Sequence, residues 1–286
     1  MKPEVITDPV RVRAASRAAR ARGGTVGFVP TLGSLHEGHI SLMRRARSAC
    51  SLSVASVFVN PAQFGPAEDF TRYPRDFAGD LELMRRAEVD LVFHPSVETI
   101  YPQGFSTWVT VEGLSEPLCG RFRPGHFRGV ATVVAKLLNI VEPDVAWFGQ
   151  KDAQQALLIR AMARDLDMGA AIEICPTVRE PDGLAMSSRN RYLSPAERAA
   201  APVIHRALRA AEEEAAAGER QAEALLARAS SVLASEPRFK MQYLELVDTR
   251  SLQPVSGSMT GEVLLAVAGH IGATRLIDNV IISAGR

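Results

Sequence analysis

Apolar residues recur along the first half of the chain in two alternating rhythms. Short continuous apolar runs at residues 25–29, 52–59, 89–93, 145–148 and 171–175 read as buried strands. Between them the spacing switches to a 3.6-residue period at 38–49, 80–87, 130–140 and 154–163, which predicts amphipathic helices. An earlier helix is punctuated at both ends: Asp8 stands as N-cap, Pro9 at the first helical position, and Gly23-Gly24 as the stop after about Arg22. Pro30 closes the first strand run, and a polar stretch over 60–75 reads as a long loop. Strands alternating with helices of this length require parallel crossovers, so the pattern predicts an open α/β sheet with ligands at the carboxyl ends of its strands.

The texture changes near Thr177. Ser194-Pro195-Ala196-Glu197 is a capping box with Pro at the first helical position, opening an Ala- and Glu-rich helical region to about Gly218, and a further helix runs to about Ser235. Strand-like runs at 241–247, 263–267 and 275–282 follow. Helices followed by strands predict a separate α+β module. The expected division is therefore residues 1–177 and a smaller lid-like part, 178–286.

Charge narrows the function classes. Lys and Arg total 33 against 32 for Asp and Glu, a formal net charge of +1, so no global field attracts nucleic acid or an anionic membrane surface. Any anion site must be local. Only Lys2, Lys136, Lys151 and Lys240 are lysines, the other basic residues being arginine, which singles out any lysine at a loop suited to ligands. Cys50, Cys119 and Cys175 lie far apart without a CxxC spacing, so they are expected as reduced, buried thiols. The residues after Met1 lack the apolar core of a signal peptide, and the apolar run near 263–268 is far short of the ~18–20 residues that span a bilayer. A cytoplasmic soluble protein is expected.

The first chemical candidate is Pro30-Thr31-Leu32-Gly33-Ser34-Leu35-His36-Glu37-Gly38-His39, which joins the first sheet strand to its helix. Two histidines three residues apart at a helix start can project beside backbone N–H groups and the positive end of the helix dipole, which makes a phosphate site. Gly38 lets a ligand approach the backbone. The histidine spacing is wrong for a zinc protease helix, and neither a Walker lysine loop nor a GxGxxG fingerprint occurs. Lys151, in Gly149-Gln150-Lys151-Asp152, places a compact ammonium at a strand-to-helix junction, where a phosphate contact is natural. In Met186-Ser187-Ser188-Arg189 two hydroxyls and a guanidinium suit a polyphosphate, with Arg189 able to bond in bidentate fashion.

These blocks resemble a known family. Pro-Thr-x-Gly-x-Leu-His-Glu-Gly-His is similar to the HIGH-type signature of the nucleotidyltransferase superfamily, and in this extended form to that of the pantothenate synthetases, the pantoate–β-alanine ligases. Phe58-Val59-Asn60-Pro61-x-Gln63-Phe64, Tyr73-Pro74-Arg75, Gly125-His126-Phe127-Arg128-Gly129-Val130, Phe148-Gly149-Gln150-Lys151-Asp152-x-Gln154-Gln155 and Met186-Ser187-Ser188-Arg189-Asn190 resemble the family's further blocks in its order. The resemblance spans about residues 27–193. It implies a Rossmann-like ATP-binding domain with a smaller C-terminal domain, and a two-step ligation. ATP and (R)-pantoate give pantoyl adenylate and pyrophosphate, then β-alanine displaces AMP.

By the same resemblance, His36, His39, Lys151 and Arg189 are the expected catalytic residues. Pro30, Thr31, Leu32, Gly38, Gly149, Asp152, Val178, Met186, Ser187 and Ser188 complete the expected ATP site, with Asp152 on the ribose. Gln63 and Gln155 are expected to read pantoate, and Val130, Val133, Val134 and Leu32 to wall its gem-dimethyl group. Asp80 is the expected Mg²⁺ contact. Asn60, Tyr73, Arg123, His126 and Arg128 are further site candidates, Arg123 for the β-alanine carboxylate. A homodimer is the family expectation. Leu32 and Ser34 stand where the family more often has Met and Ala, and Gly79 where a second acid is common, which weakens the metal assignment. The alternative reading is a related HIGH-motif enzyme that transfers a nucleotidyl group to a phosphorylated small molecule. His94, His205 and His270 fall outside every block.

Overall fold

The computed structural model describes residues 2–66 and 68–283. Its elements, in chain order, are β1 (Glu4–Ile6), α1 (Pro9–Ala21), β2 (Val26–Thr31), α2 (Glu37–Ala49), β3 (Leu52–Val57), α3 (Phe77–Arg86), β4 (Leu91–Phe93), α4 (Val97–Ile100), α5 (Cys119–Phe122), α6 (His126–Val141), β5 (Val145–Gly149), α7 (Ala153–Asp165), β6 (Ala171–Cys175), α8 (Pro195–Ala200), α9 (Val203–Ala216), α10 (Ala222–Ala234), β7 (Phe239–Asp248), β8 (Glu262–Ile271) and β9 (Thr274–Ser283). They form two compact units, Met1–Ser115 with Arg123–Gly149 and Leu158–Pro176, and Glu116–Phe122 with Gln150–Leu157 and Thr177–Arg286.

The first unit is an α/β layer structure around a six-stranded sheet of order β1-β4-β3-β2-β5-β6, with parallel pairings throughout. The chain moves outward from β2 through β3 to β4, then returns to the other side of β2 for β5. The switch point therefore lies between β2 and β5, where an open sheet receives ligands beyond its carboxyl edge. Val29, Val57 and Val92 from the strands pack with Ile40 and Met43 of α2 and Met84 of α3 in one apolar core.

Several boundaries differ from the sequence expectation for identifiable reasons. β2 continues through Pro30 to Thr31 although it is a central strand. Its pairing with β5 covers only Gly27 and Phe28, so on that side no ladder bond needs the N–H that Pro30 lacks. α3 begins at Phe77, earlier than the apolar period suggests, because the Asp76 carboxylate accepts the Gly79 N–H and caps the helix. β1 was not expected; three residues carry too little pattern, and it pairs with β4 at the sheet edge.

The second unit pairs β7, β8 and β9 in an antiparallel sheet against α9 and α10. Leu208, Leu225, Leu265 and Ile271 are among the residues of its apolar core. The Ser194/Glu197 capping box opens α8 as the motif predicts. The helical region is then broken at Ala201-Pro202, and α9 starts afresh at Val203. All three cysteines are free and buried. Among the described residues no helix is long and apolar enough to cross a membrane.

Candidate active site

The loop from β2 to α2 owes its shape to side chains on either side of it. The Thr31 hydroxyl donates to the Ser56 carbonyl at 2.7 Å and accepts the Gly33 N–H at 3.1 Å. Gly33 and Ser34 then take left-handed conformations, with φ of +82° and +54°. Asp80 of α3, only 4% exposed, accepts the Ser34 N–H on Oδ2 at 2.8 Å and the Leu35 N–H on Oδ1 at 2.7 Å. A carboxylate from 46 residues away thus holds the loop just before its histidine. Even a methyl group on Gly33 would stand 2.9 Å from that carboxylate.

His36 is the N-cap of α2 and His39 lies in its first turn, with ring centroids 4.1 Å apart and planes tilted by 39°. The His36 N–H donates to His39 Nδ1 at 3.3 Å. Since Nδ1 accepts, a neutral His39 ring carries its proton on Nε2 and presents it as a donor. The His39 donor and the positive end of the helix dipole together suit a phosphoryl group that gains charge as it reacts.

Asp80, the expected Mg²⁺ contact, has one backbone hydrogen bond on each oxygen, which leaves a lone pair on each for a cation that substrate phosphates would share. Its geometry is that of a loop clamp.

A second cluster follows β3, the neighbour of β2. Asn60 caps a 3₁₀ turn, Pro61–Gln63, and its side chain donates to Gln63 Oε1 at 3.1 Å and the Gly129 carbonyl at 3.2 Å. α6 lies close against this turn because Gly129 faces it; an added Cβ would meet the Ala62 carbonyl oxygen at 2.1 Å. Val130, Val133 and Val134 are buried on α6. His126 Nδ1 meets the Gln63 carbonyl at 2.8 Å and therefore carries its proton there, leaving Nε2 to accept from Arg123 at 2.9 Å.

Arg123, the candidate for the β-alanine carboxylate, bonds Glu68 through both Nε and Nη2, each at 2.6 Å. Burial pushes the Glu68 carboxyl up, but hydrogen bonds and charge from Arg123 outweigh that and hold it below the ordinary carboxylate range. Arg128 is turned elsewhere, its guanidinium 4.3 Å above the Trp108 ring. Tyr73 is buried edge-on to Phe64, with centroids 5.7 Å apart.

In the second unit, Lys151 and Asp152 belong to a 3₁₀ turn, Gln150–Asp152, that begins where β5 ends at Gly149. Lys151 Nζ lies 3.6 Å from Asp152 Oδ1. The turn is held by a residue with no motif: Asn279 of β9, buried, donates from Nδ2 to the carbonyls of Gln150 at 2.9 Å and Lys151 at 3.0 Å. Its neighbour Asp278 clamps Arg179 through two bonds of 2.6 and 3.1 Å. Gln155 is half-buried in the first turn of α7, while the amide of Gln154 is used within the unit, on the Cys119 N–H and the Pro117 carbonyl. Met186 N–H donates to the Val178 carbonyl at 3.0 Å, drawing these two expected ATP contacts together. Ser187 caps the 3₁₀ turn Ser188–Tyr192 by accepting the Arg189 N–H at 3.2 Å.

Known proteins match along almost the whole chain. A pantothenate synthetase of Acidobacterium capsulatum is 57% identical over 258 residues, which covers 90% of this chain and 86% of that protein. One from Pelotomaculum thermopropionicum is 54% identical over 271 residues, 95% and 96% of the two chains. The crystal structure of pantothenate synthetase from Thermus thermophilus superposes with a TM-score of 0.91 at 47% identity, covering 97% of this chain and 98% of that one. That of the pantoate–β-alanine ligase from Francisella tularensis, complexed with β,γ-ATP and β-alanine, gives 0.79 at 32% identity, with coverage of 98% and 97%. The model of the pantoate–beta-alanine ligase family matches residues 4–281, and the chain belongs to that family.

Proposed function

We propose that the chain condenses (R)-pantoate with β-alanine in two half-reactions on ATP. In the first, a pantoate carboxylate oxygen attacks the α-phosphorus, the bond to the bridging oxygen breaks, and pyrophosphate leaves. In the second, the amine of β-alanine attacks the acyl carbon, loses a proton, and AMP departs with the bonding pair. Such chemistry asks the protein mainly for positioning and for stabilisation of charge on the transferring phosphoryl group.

The first unit supplies His36 and His39, with the His39 Nε2 proton directed to the α-phosphoryl oxygens, while Pro30, Thr31, Leu32 and Gly38 line the nucleotide. Gln63 meets pantoate, and Val130, Val133 and Val134 accept its methyl groups. Lys151 and the Ser187, Ser188 and Arg189 donors are proposed for the pyrophosphate, Asp152 for the ribose and Gln155 for pantoate. The histidine pair at the head of α2, at the carboxyl edge beside the switch point, is the observation that carries this reading. Mg²⁺ is proposed on the family resemblance alone. So are a homodimer, which a sizing measurement tests, and a cytoplasmic location, which fractionation tests.

Incubation with ATP and pantoate, without β-alanine, tests the reaction. Pyrophosphate release under those conditions is the expected result. Release only after β-alanine is added, or faster release with a phosphorylated acceptor than with pantoate, contradicts the adenylate route.

A further inference from the structure

We propose that Tyr101 and Asn60 form a hydrogen-bonded relay that fixes the amide of Gln63 with its NH₂ end toward the ligand, making Tyr101 a positioning residue for the acid substrate. The inference rests on the reading that Gln63 meets pantoate.

The atoms of both amides are determined by neighbours that can act in only one way. Asn60, completely buried, accepts on one side-chain atom from the Ala62 N–H at 3.2 Å, and a backbone N–H cannot accept, so that atom is Oδ1. Tyr101 donates its hydroxyl to the same oxygen at 2.8 Å. The other end lies 3.2 Å from the Gly129 carbonyl, which cannot donate, so it is Nδ2. Its second hydrogen goes to Gln63 at 3.1 Å, and the atom that receives it must be Oε1. Gln63 Nε2 is thereby turned the other way, and among the described residues no hydrogen bond uses it. The main chain of Gln63 is equally constrained, its carbonyl accepting from His126 Nδ1 at 2.8 Å and Arg123 Nη2 at 3.4 Å.

The far end of the relay is rigid. The Tyr101 ring sits among Phe58, Phe105 and Trp108, at centroid distances of 6.3, 5.1 and 6.1 Å, which leaves the hydroxyl one direction. Burial raises the phenol to about 12, so it stays a donor at any working pH. Gln63 thus turns its two Nε2 hydrogens away from Asn60, which selects a ligand that offers carboxylate or hydroxyl lone pairs.

Steady-state kinetics with Tyr101→Phe, Asn60→Asp, Gln63→Ala and the double variant Tyr101→Phe/Gln63→Ala test the relay. Tyr101→Phe removes one of two donors to Asn60, and the expected result is a pantoate KM raised about three- to tenfold, with kcat and the ATP KM within about twofold. Asn60→Asp leaves at most the single proton of a neutral buried acid for Gln63 Oε1 and the Gly129 carbonyl, where Asn60 donates two hydrogens, so the Gln63 amide is no longer held and the pantoate KM of this variant should rise at least as far as that of Tyr101→Phe, about tenfold or more. In the Gln63→Ala background Tyr101→Phe should add nothing. If Gln63→Ala leaves the pantoate KM unchanged, the underlying reading of Gln63 fails. If Gln63→Ala raises it while Asn60→Asp does not, or if Tyr101→Phe acts equally with and without Gln63 or moves the ATP KM in parallel, the relay is overturned. Asn60→Asp decides the question even where Tyr101→Phe does not fold.

Discussion

Gly129→Ala sets two physical effects against each other. On helix propensity alone, alanine inside α6 should stabilise the protein by about 1 kcal/mol. The tertiary structure predicts the opposite sign. The new Cβ would lie 2.1 Å from the Ala62 oxygen, 2.5 Å from its carbonyl carbon and 2.8 Å from Gln63 Cα, all backbone atoms that no rotamer change can remove. Ordinary contact begins at 3.4 Å, so the 3₁₀ turn must retreat by roughly 1.3 Å. Overpacking of this kind costs about 1–3 kcal/mol, and rigid backbone on the receiving side places it at the upper end, beyond what propensity returns. The retreat also stretches the 3.2 Å bond from Asn60 to the Gly129 carbonyl and carries Gln63 with it. A displacement of about 1 Å at a positioned group costs on the order of a hundredfold in catalysis, so the pantoate KM should rise strongly while the ATP KM changes little. Denaturant unfolding and initial rates against pantoate measure both quantities. A variant of wild-type or higher stability with an unchanged pantoate KM would refute the close approach of α6 to this turn as the reason for glycine.

Further outcomes follow from other contacts. His39→Ala and Lys151→Ala should keep native circular dichroism yet lose about a hundredfold or more in pyrophosphate release, and near-normal rates would remove them from the chemistry. Asp80→Asn turns an NH₂ group against the Ser34 or Leu35 N–H; unfolding free energy should fall by about 1–3 kcal/mol, and recovery of activity at high Mg²⁺ would support the metal role. Burial, followed by the charge of Arg179, holds His205 below its ordinary value of 6.5. The unfolded chain then binds a proton that the folded one resists, so stability should fall as pH drops through 6.5 toward the folded value, and His205→Gln should flatten that part of the melting-temperature profile.

Much of the molecule was determined by sequence at short range. Period and caps locate α1 through Asp8 and Pro9, α8 through Ser194 and Glu197, and the strand–helix alternation that makes the first sheet parallel. Caps and apolar runs act within one or two turns of chain, so they are legible without a fold. The identities at the histidine loop and at Lys151 were legible too, because phosphate chemistry demands particular residue types next to a helix start. Partners were not. The carboxylate of Asp80 holds the amides of Ser34 and Leu35, Glu68 takes the guanidinium of Arg123, Asn279 braces the turn of Lys151, and Tyr101 hydrogen-bonds the Asn60 amide. Each pairing joins segments far apart in the chain, and a hydrogen bond forms only where folding brings donor and acceptor within about 3 Å in the right orientation. Sequence determined which groups were present for chemistry; tertiary structure alone decided which way they point and which of them are already occupied.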